Sequence, residues 1–256
     1  MSNDRWLVVL PTYNEADNIS SVCSAVLEAD PDLHVLVVDD ASPDGTAEVV
    51  EQLACDDPRV HLMVRLNQRG RGSAGAAGFG WAVHHGFDGV VEMDADGSHC
   101  PDHVRDLIGQ AREGYDVVIG SRLVAGGADH RRSRSRRWLT RVSNAYARIA
   151  LGVEVRDCNS GFRAWTRRAL QTTDAAHAKS VGPAIVHELL LRAKRSKLRI
   201  AEVPIKFVER ERGESKLGFF TLVRGMLSVA SLRLSRPAVN AAMPADSDRS
   251  PTVVLR

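Results

Sequence analysis

Cysteine, lysine, aromatic residues and long apolar runs are all scarce in this sequence of 256 residues. The four cysteines are far apart and form no metal-like pair, so we expect reduced thiols in a cytoplasm. No apolar run reaches the roughly 18 residues that span a bilayer, and the first run is too short for a signal peptide. These absences exclude a disulfide scaffold and predict no membrane-spanning helix. The length suits one large domain with a full core.

The net charge of +2 conceals an uneven distribution of charged residues. Of the 34 basic residues, 29 are arginine and only five are lysine, and six arginines fall between His130 and Arg141. That stretch contains no acid, whereas carboxylates gather at residues 39–44 and 92–96. A basic strip beside acidic clusters is typical of a protein with an anionic partner and a bridging metal ion.

Short apolar runs alternate with amphipathic stretches in the first half of the chain. Buried strands are predicted at Trp6–Leu10, Val35–Val38, Val60–Val64, Gly89–Met93 and Val117–Ile119. Helices are predicted between them near 16–29, 45–54, 73–86 and 101–113. This alternation predicts an α/β fold with a mainly parallel central sheet. We expect a catalytic domain over residues 1–236 and a disordered tail over residues 237–256.

Two later segments have a clear pattern. Leu198–Val208 is predicted as a strand, and Pro204 within it favours an edge position or a local break. From Phe219 to Leu234 apolar side chains recur at helical spacing, which suits either a core helix or a helix at a membrane interface.

The strongest chemical signal lies at residues 91–96, where an apolar strand runs into Asp94 and Asp96. Ligands of open α/β sheets bind beyond the carboxyl ends of the strands. Two acids there can share a divalent cation that keeps positions open for phosphate oxygens. A solvated turn with incidental acids is the alternative.

Two other strands also end in polar turns, at residues 10–15 and 37–46. Three strand ends of one sheet can converge on one ligand. A carboxylate such as Asp40 suits ribose hydroxyls or the N–H edge of a base. Helix capping explains part of Ser42–Thr46, but it does not explain the acid pair Asp39 and Asp40 before it.

Together, Pro11–Glu15, Asp39–Thr46 and Glu92–His99 resemble family 2 inverting glycosyltransferases of GT-A fold, a Rossmann-like α/β fold. Four more segments narrow the resemblance to the polyprenol-phosphate (dolichol-phosphate) mannose synthases: Gly120–Arg122, Asp157–Arg163, Val203–Ile205 and Arg210–Gly218. The similarity extends from about Leu7 to about Gly218. It implies metal-dependent transfer of mannose from GDP-mannose to polyprenyl phosphate, with Mg²⁺ or Mn²⁺ and a β-linked product.

The resemblance also implies a role for each matching position. The nucleotide sugar would be bound by Pro11, Tyr13, Glu15, Val38, Asp40, Asp94, Ala95, Asp96, Arg122, Arg210 and Lys216. The metal would be held by Asp94, Asp96 and Ser98, and the implied catalytic residues are Asp96, Arg122, Arg210 and Lys216. The acceptor phosphate would lie near Arg122, Arg136, Arg137, Thr140 and Asn144.

The chain departs from the family pattern in two places. Gly97 stands where leucine is common after the acid pair, which loosens that turn. Arg69 and Arg71 stand where the glycine-rich segment usually carries apolar residues, which puts the donor contacts of this loop in doubt.

Three alternative functions remain open from the sequence. The same machinery could use another sugar nucleotide, such as UDP-glucose or UDP-GlcNAc, or another acceptor. Gly70–Gly75 fits the Gly-x-Gly-x-x-Gly fingerprint of a nicotinamide-dependent oxidoreductase. A non-catalytic adaptor is the third possibility. His99 and His103, near the acid pair, could also be metal ligands, although the family keeps a histidine at the first position without binding metal through it.

A lipid acceptor requires contact with a membrane. The arginines between His130 and Arg141 could meet anionic headgroups, which predicts a peripheral protein at the cytoplasmic face of the membrane, docked directly or through a membrane-anchored partner. These arginines show no pattern of alternating aromatic residues that would support binding of single-stranded nucleic acid, so no nucleic-acid partner is expected.

Overall fold

The computed structural model describes residues 4–66, 69–129, 134–180, 182–207 and 253–255. Its strands are β1 (Trp6–Thr12), β2 (Leu33–Asp39), β3 (Val60–Arg65), β4 (Gly89–Glu92), β5 (Val117–Ser121), β6 (Ala128–Asp129), β7 (Arg163–Thr166), β8 (Ile200–Pro204), β9 (Lys206–Phe207) and β10 (Val253–Leu255). Its helices are α1 (Ala16–Ala29), α2 (Thr46–Asp56), α3 (Arg71–His84), α4 (His103–Arg112), α5 (Arg134–Leu151), α6 (Arg167–Thr172) and α7 (Ile185–Arg195), and a 3-10 turn covers Ala175–His177.

The main sheet has the strand order β10-β3-β2-β1-β4-β7-β5-β8. Strands β1 to β4 are parallel, β7 lies antiparallel between β4 and β5, and β8 is parallel to β5. The prediction of a mainly parallel α/β fold is therefore confirmed, as are the five strands and four helices of the first half. Strand β7 was not expected, and it reverses direction because it returns from α5 into the space between β4 and β5.

Apolar layers cover both faces of the sheet. Along β1, Leu7 and Val9 face the layer that includes α3 and α7, whereas Val8 and Leu10 face the layer that includes α1, α2 and α4. This alternation follows from the two-residue period of a strand, and covered faces on both sides are typical of parallel sheets. The carboxyl ends of β1, β2 and β4 consequently open at one common edge.

The predicted later strand is divided in the structure. Strand β8 ends at Pro204 and pairs only with β5 among the described strands, so the edge position suggested by this proline is confirmed. Strand β9 then pairs with β6 in a separate two-stranded sheet. Among the helices that the structure describes, none combines the length and hydropathy needed to cross a bilayer.

The expected disordered tail contains one described element. Val253–Leu255 forms β10, antiparallel to β3, which departs from the expectation of disorder for these three residues. Residues 237–252 lie outside the described residues, and so does the helical pattern of Phe219–Leu234, so both expectations stay predictions.

The close approach of α3 to β1 gives a stability prediction. A Cβ atom on Gly78 would lie 2.5 Å from Val9 Cγ1, so Gly78→Ala should lower the free energy of unfolding by about 1–3 kcal/mol through overpacking. Gly109→Ala in α4 is the matched control. Its Cβ would meet no atom within 4 Å, and we expect a gain of about 0.5–1 kcal/mol. Urea unfolding measures both, and equal stability of the two variants would contradict this packing.

Candidate active site

The first two polar turns are hydrogen-bonded to each other. The backbone N–H of Asn14 donates to Ser42 Oγ over 2.9 Å, and the N–H of Glu15 donates to Thr46 Oγ1 over 3.0 Å. The Asp44 carboxylate accepts from the hydroxyl of Thr46 over 2.6 Å. Asp44 also accepts the N–H groups of Ala16 (3.0 Å) and Thr46 (3.1 Å), the first residues of α1 and α2, so this turn caps both helices and joins the ends of β1 and β2, as the capping interpretation predicts.

The neighbouring acids Asp39 and Asp40 have different environments. Asp39 is fully buried and accepts hydrogen bonds from Thr12 Oγ1 (3.0 Å) and from the N–H of Ser42 (2.8 Å). Asp39 thus stabilises the turn after β2. Asp40, the next residue, contacts other segments at the open edge of the sheet.

Asp40 forms a buried ion pair with Arg65 at the end of β3, where Arg65 Nε lies 2.8 Å from Asp40 Oδ1. Its second oxygen accepts the backbone N–H of Gly70 over 2.8 Å. Asp40 therefore fixes the start of α3 relative to β2. Its contact with a nucleotide stays a prediction, as do those of Pro11 and Val38 in the strands nearby.

The turn after β4 brings together oxygen atoms that suit a hard cation. Asp94 is partly exposed, whereas Asp96 and Ser98 are buried. The N–H of Ser98 donates to Asp96 Oδ1 over 2.9 Å, and Ser98 Oγ is a buried atom without a hydrogen-bond partner among the described residues. Carboxylate and hydroxyl oxygens are ligands for Mg²⁺ or Mn²⁺.

The fit to a metal is incomplete without a substrate. Within the described part of the chain, no group of three or more His, Cys, Asp or Glu side chains is arranged to hold a metal ion. Asp94, Asp96 and Ser98 consequently suit a cation that takes its remaining ligands from a bound diphosphate. Ala95 between the two acids is buried.

His99 shapes this turn. Its Nδ1 accepts the N–H of Asp94 over 3.1 Å, and its ring stacks on Phe162 with centroids 4.8 Å apart. Burial lowers the pKa of His99 to about 4, so the ring is neutral near pH 7. Gly97 in the same turn has φ +71°, a conformation that glycine adopts without strain.

His103 does not face the acid pair as a free ligand. Its Nδ1 lies 3.1 Å from the carboxylate of Asp106, and its Nε2 is 3.1 Å from the N–H of Lys206. The two histidines thus have protein partners, which leaves the oxygens of Asp94, Asp96 and Ser98 as the candidate ligands.

Arg122, after β5, is held by a bidentate ion pair with Asp157. Arg122 Nε and Nη2 lie 2.7 and 2.8 Å from the two carboxylate oxygens, and the Arg122 N–H also donates to this group over 3.0 Å. Burial alone would raise the pKa of Asp157, but the hydrogen bonds from Arg122 outweigh it and lower that pKa below its usual value. The sequence predicts Arg122 but not its partner, because 35 residues separate them.

Apart from Arg122, the acceptor residues implied by the resemblance fall on α5, whereas two of the implied donor and catalytic residues lie beyond the described part of the chain. Thr140 is buried and Arg137 is exposed on this helix, and Arg136 occupies a described helix position without a described side chain. Arg210 and Lys216 lie outside the described residues, so their roles stay predictions.

Asn144 has a structural task on α5. Its Nδ2 donates to the carbonyl of Thr140 over 2.9 Å, and its Oδ1 accepts the N–H of Asn159 over 3.0 Å. Asn144 therefore fastens α5 to the segment that carries Asp157.

Comparison with known proteins agrees with this geometry. The family described as "Glycosyl transferase family 2" matches residues 7–173, well over half of the chain. The chain belongs to glycosyl transferase family 2. The resemblance inferred from the motifs is thereby confirmed at family level.

Three curated relatives of this family 2 protein have related names. Polyprenol monophosphomannose synthase of Mycolicibacterium smegmatis is 41% identical over 227 residues, which are 88% of this chain and 86% of that protein. Undecaprenyl-phosphate mannosyltransferase of Micrococcus luteus is 42% identical over 83% of this chain and 87% of its own length. Dolichol-phosphate mannosyltransferase of Pyrococcus furiosus is 36% identical over 82% of this chain and 58% of its own length.

Solved structures confirm the GT-A type of fold. Glucosyl-3-phosphoglycerate synthase from Mycobacterium tuberculosis, in complex with Mn²⁺, UDP-glucose and phosphoglyceric acid, matches with a TM-score of 0.68. The match covers 92% of this chain and 81% of that chain at 23% identity, so it establishes the fold alone.

An arginine-lined cavity of about 460 Å³ lies between the loop after β5 and α5 of this glycosyltransferase. Arg122 contributes to it from the loop, and Asn144 contributes from α5. The other guanidinium groups that line it belong to Arg141, Arg148 and Arg156. Such a cavity suits a phosphate group.

Helix α5 also exposes an apolar stripe that we did not predict. Trp138, Val142 and Ile149 have 64%, 41% and 71% of their surface exposed, and their spacing puts them on one side of the helix. The Gly-, Ser- and Arg-rich composition of residues 125–141 predicts a loop that enters a helix, and α5 begins within this stretch, at Arg134.

The oxidoreductase alternative does not fit the structure of Gly70–Gly75. This segment leads into α3 from β3, rather than from a strand at the centre of the sheet. Glu92, at the spacing where a ribose-binding acid is expected, is buried and forms an ion pair with Arg71.

The Arg122–Asp157 pair gives a prediction for stability. Arg122→Gln and Asp157→Asn should each cost about 3–5 kcal/mol of unfolding free energy, because each leaves one buried charge unpaired. The double variant should cost less than the sum, with a coupling of about 1–3 kcal/mol.

The exposed pair Arg59–Asp57 is the matched control, because both side chains are about 30% exposed. Asp57→Asn should cost less than about 1 kcal/mol. Urea unfolding gives the free energy of unfolding of the single and double variants, and from these values the coupling free energy. Additive effects of the two buried substitutions would contradict a tightly coupled pair.

Proposed function

We propose that this enzyme transfers mannose from GDP-mannose to polyprenyl phosphate, with inversion at the anomeric carbon. The observation that carries the proposal is the position of two complementary groups at one sheet edge. The acid pair after β4 suits a cation and a diphosphate, and Arg122 after β5 lines the arginine-rich cavity beside α5. The names of the three curated relatives, which describe mannosyl transfer to lipid phosphates, support it.

The two groups share a neighbour, which brings donor and acceptor sites within reach of each other. Phe207 packs its ring 5.3 Å from that of His99, which bonds the Asp94 N–H, and 5.2 Å from the Arg122 guanidinium. A donor diphosphate near Asp94 and an acceptor phosphate near Arg122 would therefore both lie close to Phe207.

On the donor side, Asp94, Asp96 and Ser98 would hold a divalent cation, Mg²⁺ or Mn²⁺. That cation would supply positive charge to the departing diphosphate. Pro11, Tyr13, Glu15, Val38 and Asp40 would then hold the nucleotide, in the positions implied by the family resemblance.

On the acceptor side, no protein base is required. The first ionisation of a phosphate monoester lies far below pH 7, so the attacking oxygen already carries negative charge, whereas an alcohol acceptor would need a base. Arg122 stays charged, and the guanidinium N–H groups that its pair with Asp157 does not use would donate to phosphate oxygens and orient the nucleophile. We propose Arg136, Arg137, Thr140, Arg210 and Lys216 as further phosphate contacts.

A transfer assay tests this function. Radiolabelled mannose should move from GDP-mannose to polyprenyl phosphate, faster than glucose or GlcNAc from their UDP donors. NMR of the product should show a β-linkage. EDTA or Asp96→Ala should reduce transfer by at least about 100-fold, because the leaving diphosphate loses its cation.

Asp106→Ala is the matched control, because Asp106 is an exposed acid on α4 outside the site, and it should keep near-normal transfer. Full transfer in EDTA would contradict the proposed metal dependence. Faster transfer of glucose or GlcNAc would contradict GDP-mannose as the preferred donor. An α-linked product from an α-linked donor would overturn the single displacement.

We also propose that the enzyme binds peripherally at the cytoplasmic face of the membrane through α5. The exposed stripe of Trp138, Val142 and Ile149 can enter the interface, while Arg137 and Arg141 meet anionic headgroups. Docking through a membrane-anchored partner is the alternative, and the segment Phe219–Leu234 could add to either.

Vesicle co-sedimentation tests this orientation. Binding should rise with the anionic lipid content and fall with salt, and Trp138→Ser with Ile149→Ser should weaken it roughly tenfold or more. Leu66→Ser, at a site 37% exposed outside α5, is the control and should bind like the wild type. Equal binding to neutral and anionic vesicles, or an equal loss in the control, would contradict docking through α5.

A further inference from the structure

Arg71, the first residue of α3, reaches across to the end of β4. Its Nε lies 2.6 Å from Asp94 Oδ1, and its Nη1 lies 3.3 Å from Glu92 Oε1. One guanidinium group thus contacts both a proposed metal ligand and the acid two residues before it.

Two glycines make room for these contacts. A Cβ atom on Gly161 would lie 2.5 Å from Arg71 Nη2, and a Cβ atom on Gly75 would lie 2.9 Å from Glu92 Oε1. Any larger residue at either position would push the ion pair apart. The Arg71 side chain is therefore partly enclosed by neighbouring segments and does not lie on an open surface.

Glu92 needs a nearby cation. It is 2% exposed, so a negative charge on its carboxylate is costly unless a cation lies close to it. The other buried arginine of this region, Arg163, directs its guanidinium to backbone carbonyls, including those of Ser160 (2.8 Å) and Val186 (2.7 Å). Arg71 is therefore the arginine that forms an ion pair with Glu92, and Arg163 adds only a longer-range attraction.

We infer that Arg71 is a resident counter-cation of Asp94 and Glu92, and that it competes with a divalent cation for the carboxylate of Asp94. Arg71 occupies Oδ1 of this carboxylate, and a divalent cation on either of its oxygens would lie close to the guanidinium and be repelled by it. Arg71 is thus a positioning residue that lowers the affinity of the site for free metal. The inference rests on the metal-dependent function proposed above.

Binding of Mn²⁺ alone to the full chain tests this role without any transfer reaction. Isothermal titration, or electron paramagnetic resonance of free Mn²⁺, gives the Kd at fixed pH and salt. Arg71→Met should bind Mn²⁺ roughly tenfold more tightly than the wild type, because the guanidinium group no longer competes for Asp94. Arg71→Lys retains a competing charge and should stay close to the wild type.

Two further variants keep the test decisive. Arg71→Met with Glu92→Gln removes both charges, so it should gain Mn²⁺ affinity without leaving a buried acid alone, even where the single variant folds poorly. Arg69→Met removes an equal charge two residues away, where Arg69 lies over the ring of Tyr13 at 4.6 Å. It should stay within about twofold of the wild type, since only long-range attraction changes.

The outcomes separate this inference from the proposed function. If the wild type binds Mn²⁺ and the affinity is unchanged or weaker in Arg71→Met and in the double variant, the role of Arg71 is overturned. The proposed metal site would still stand. An equal gain in Mn²⁺ affinity in Arg69→Met would also overturn the role of Arg71. The gain would then come from the lower positive charge of the protein and not from the contact with Asp94. Absence of Mn²⁺ binding in every variant, with and without GDP as the diphosphate, would contradict the metal site itself, and the role of Arg71 with it.

Discussion

The carboxylates gathered at the open edge of the sheet would repel one another and lose hydration there unless cations or hydrogen-bond donors offset their charge. Three arginines meet this constraint at the open edge of the sheet. The pairs are Asp40 with Arg65, Asp94 with Arg71, and Asp157 with Arg122. Each pair joins chain segments that are far apart in sequence, so the same contacts that neutralise the acids also hold the loops of the site together.

The chemistry of the proposed reaction follows from this arrangement of charge. Acids at the end of β4 can hold a cation for the leaving diphosphate, while a cation after β5 can orient a phosphate that is already a nucleophile. Neither half needs a titrating base. This agrees with a site in which His99 is neutral and is used to shape the acid turn. Helix α5 extends the cationic side toward a surface on which a lipid acceptor can be presented.

Most of the sheet was predictable, because five of its strands are apolar runs whose period and length differ clearly from those of helices. Strand β7 escaped prediction because it is four residues long and carries Arg163 at its start. The acid pair was found because two carboxylates follow a strand directly. The apolar stripe of α5 was missed, although its helical spacing is visible, since a dense run of arginines precedes it.

By itself, the sequence determined the α/β class, the mainly parallel sheet and the residues at the strand ends, because these depend on local periodicity and on the identity of nearby residues. Only the tertiary structure decided which charges meet. Arg65 and Asp40 are 25 residues apart, and Arg122 and Asp157 are 35 apart. Spacing along one chain carries no information on such contacts. They depend on how strands are ordered in the sheet and on the space that residues such as Gly161 leave for a guanidinium group.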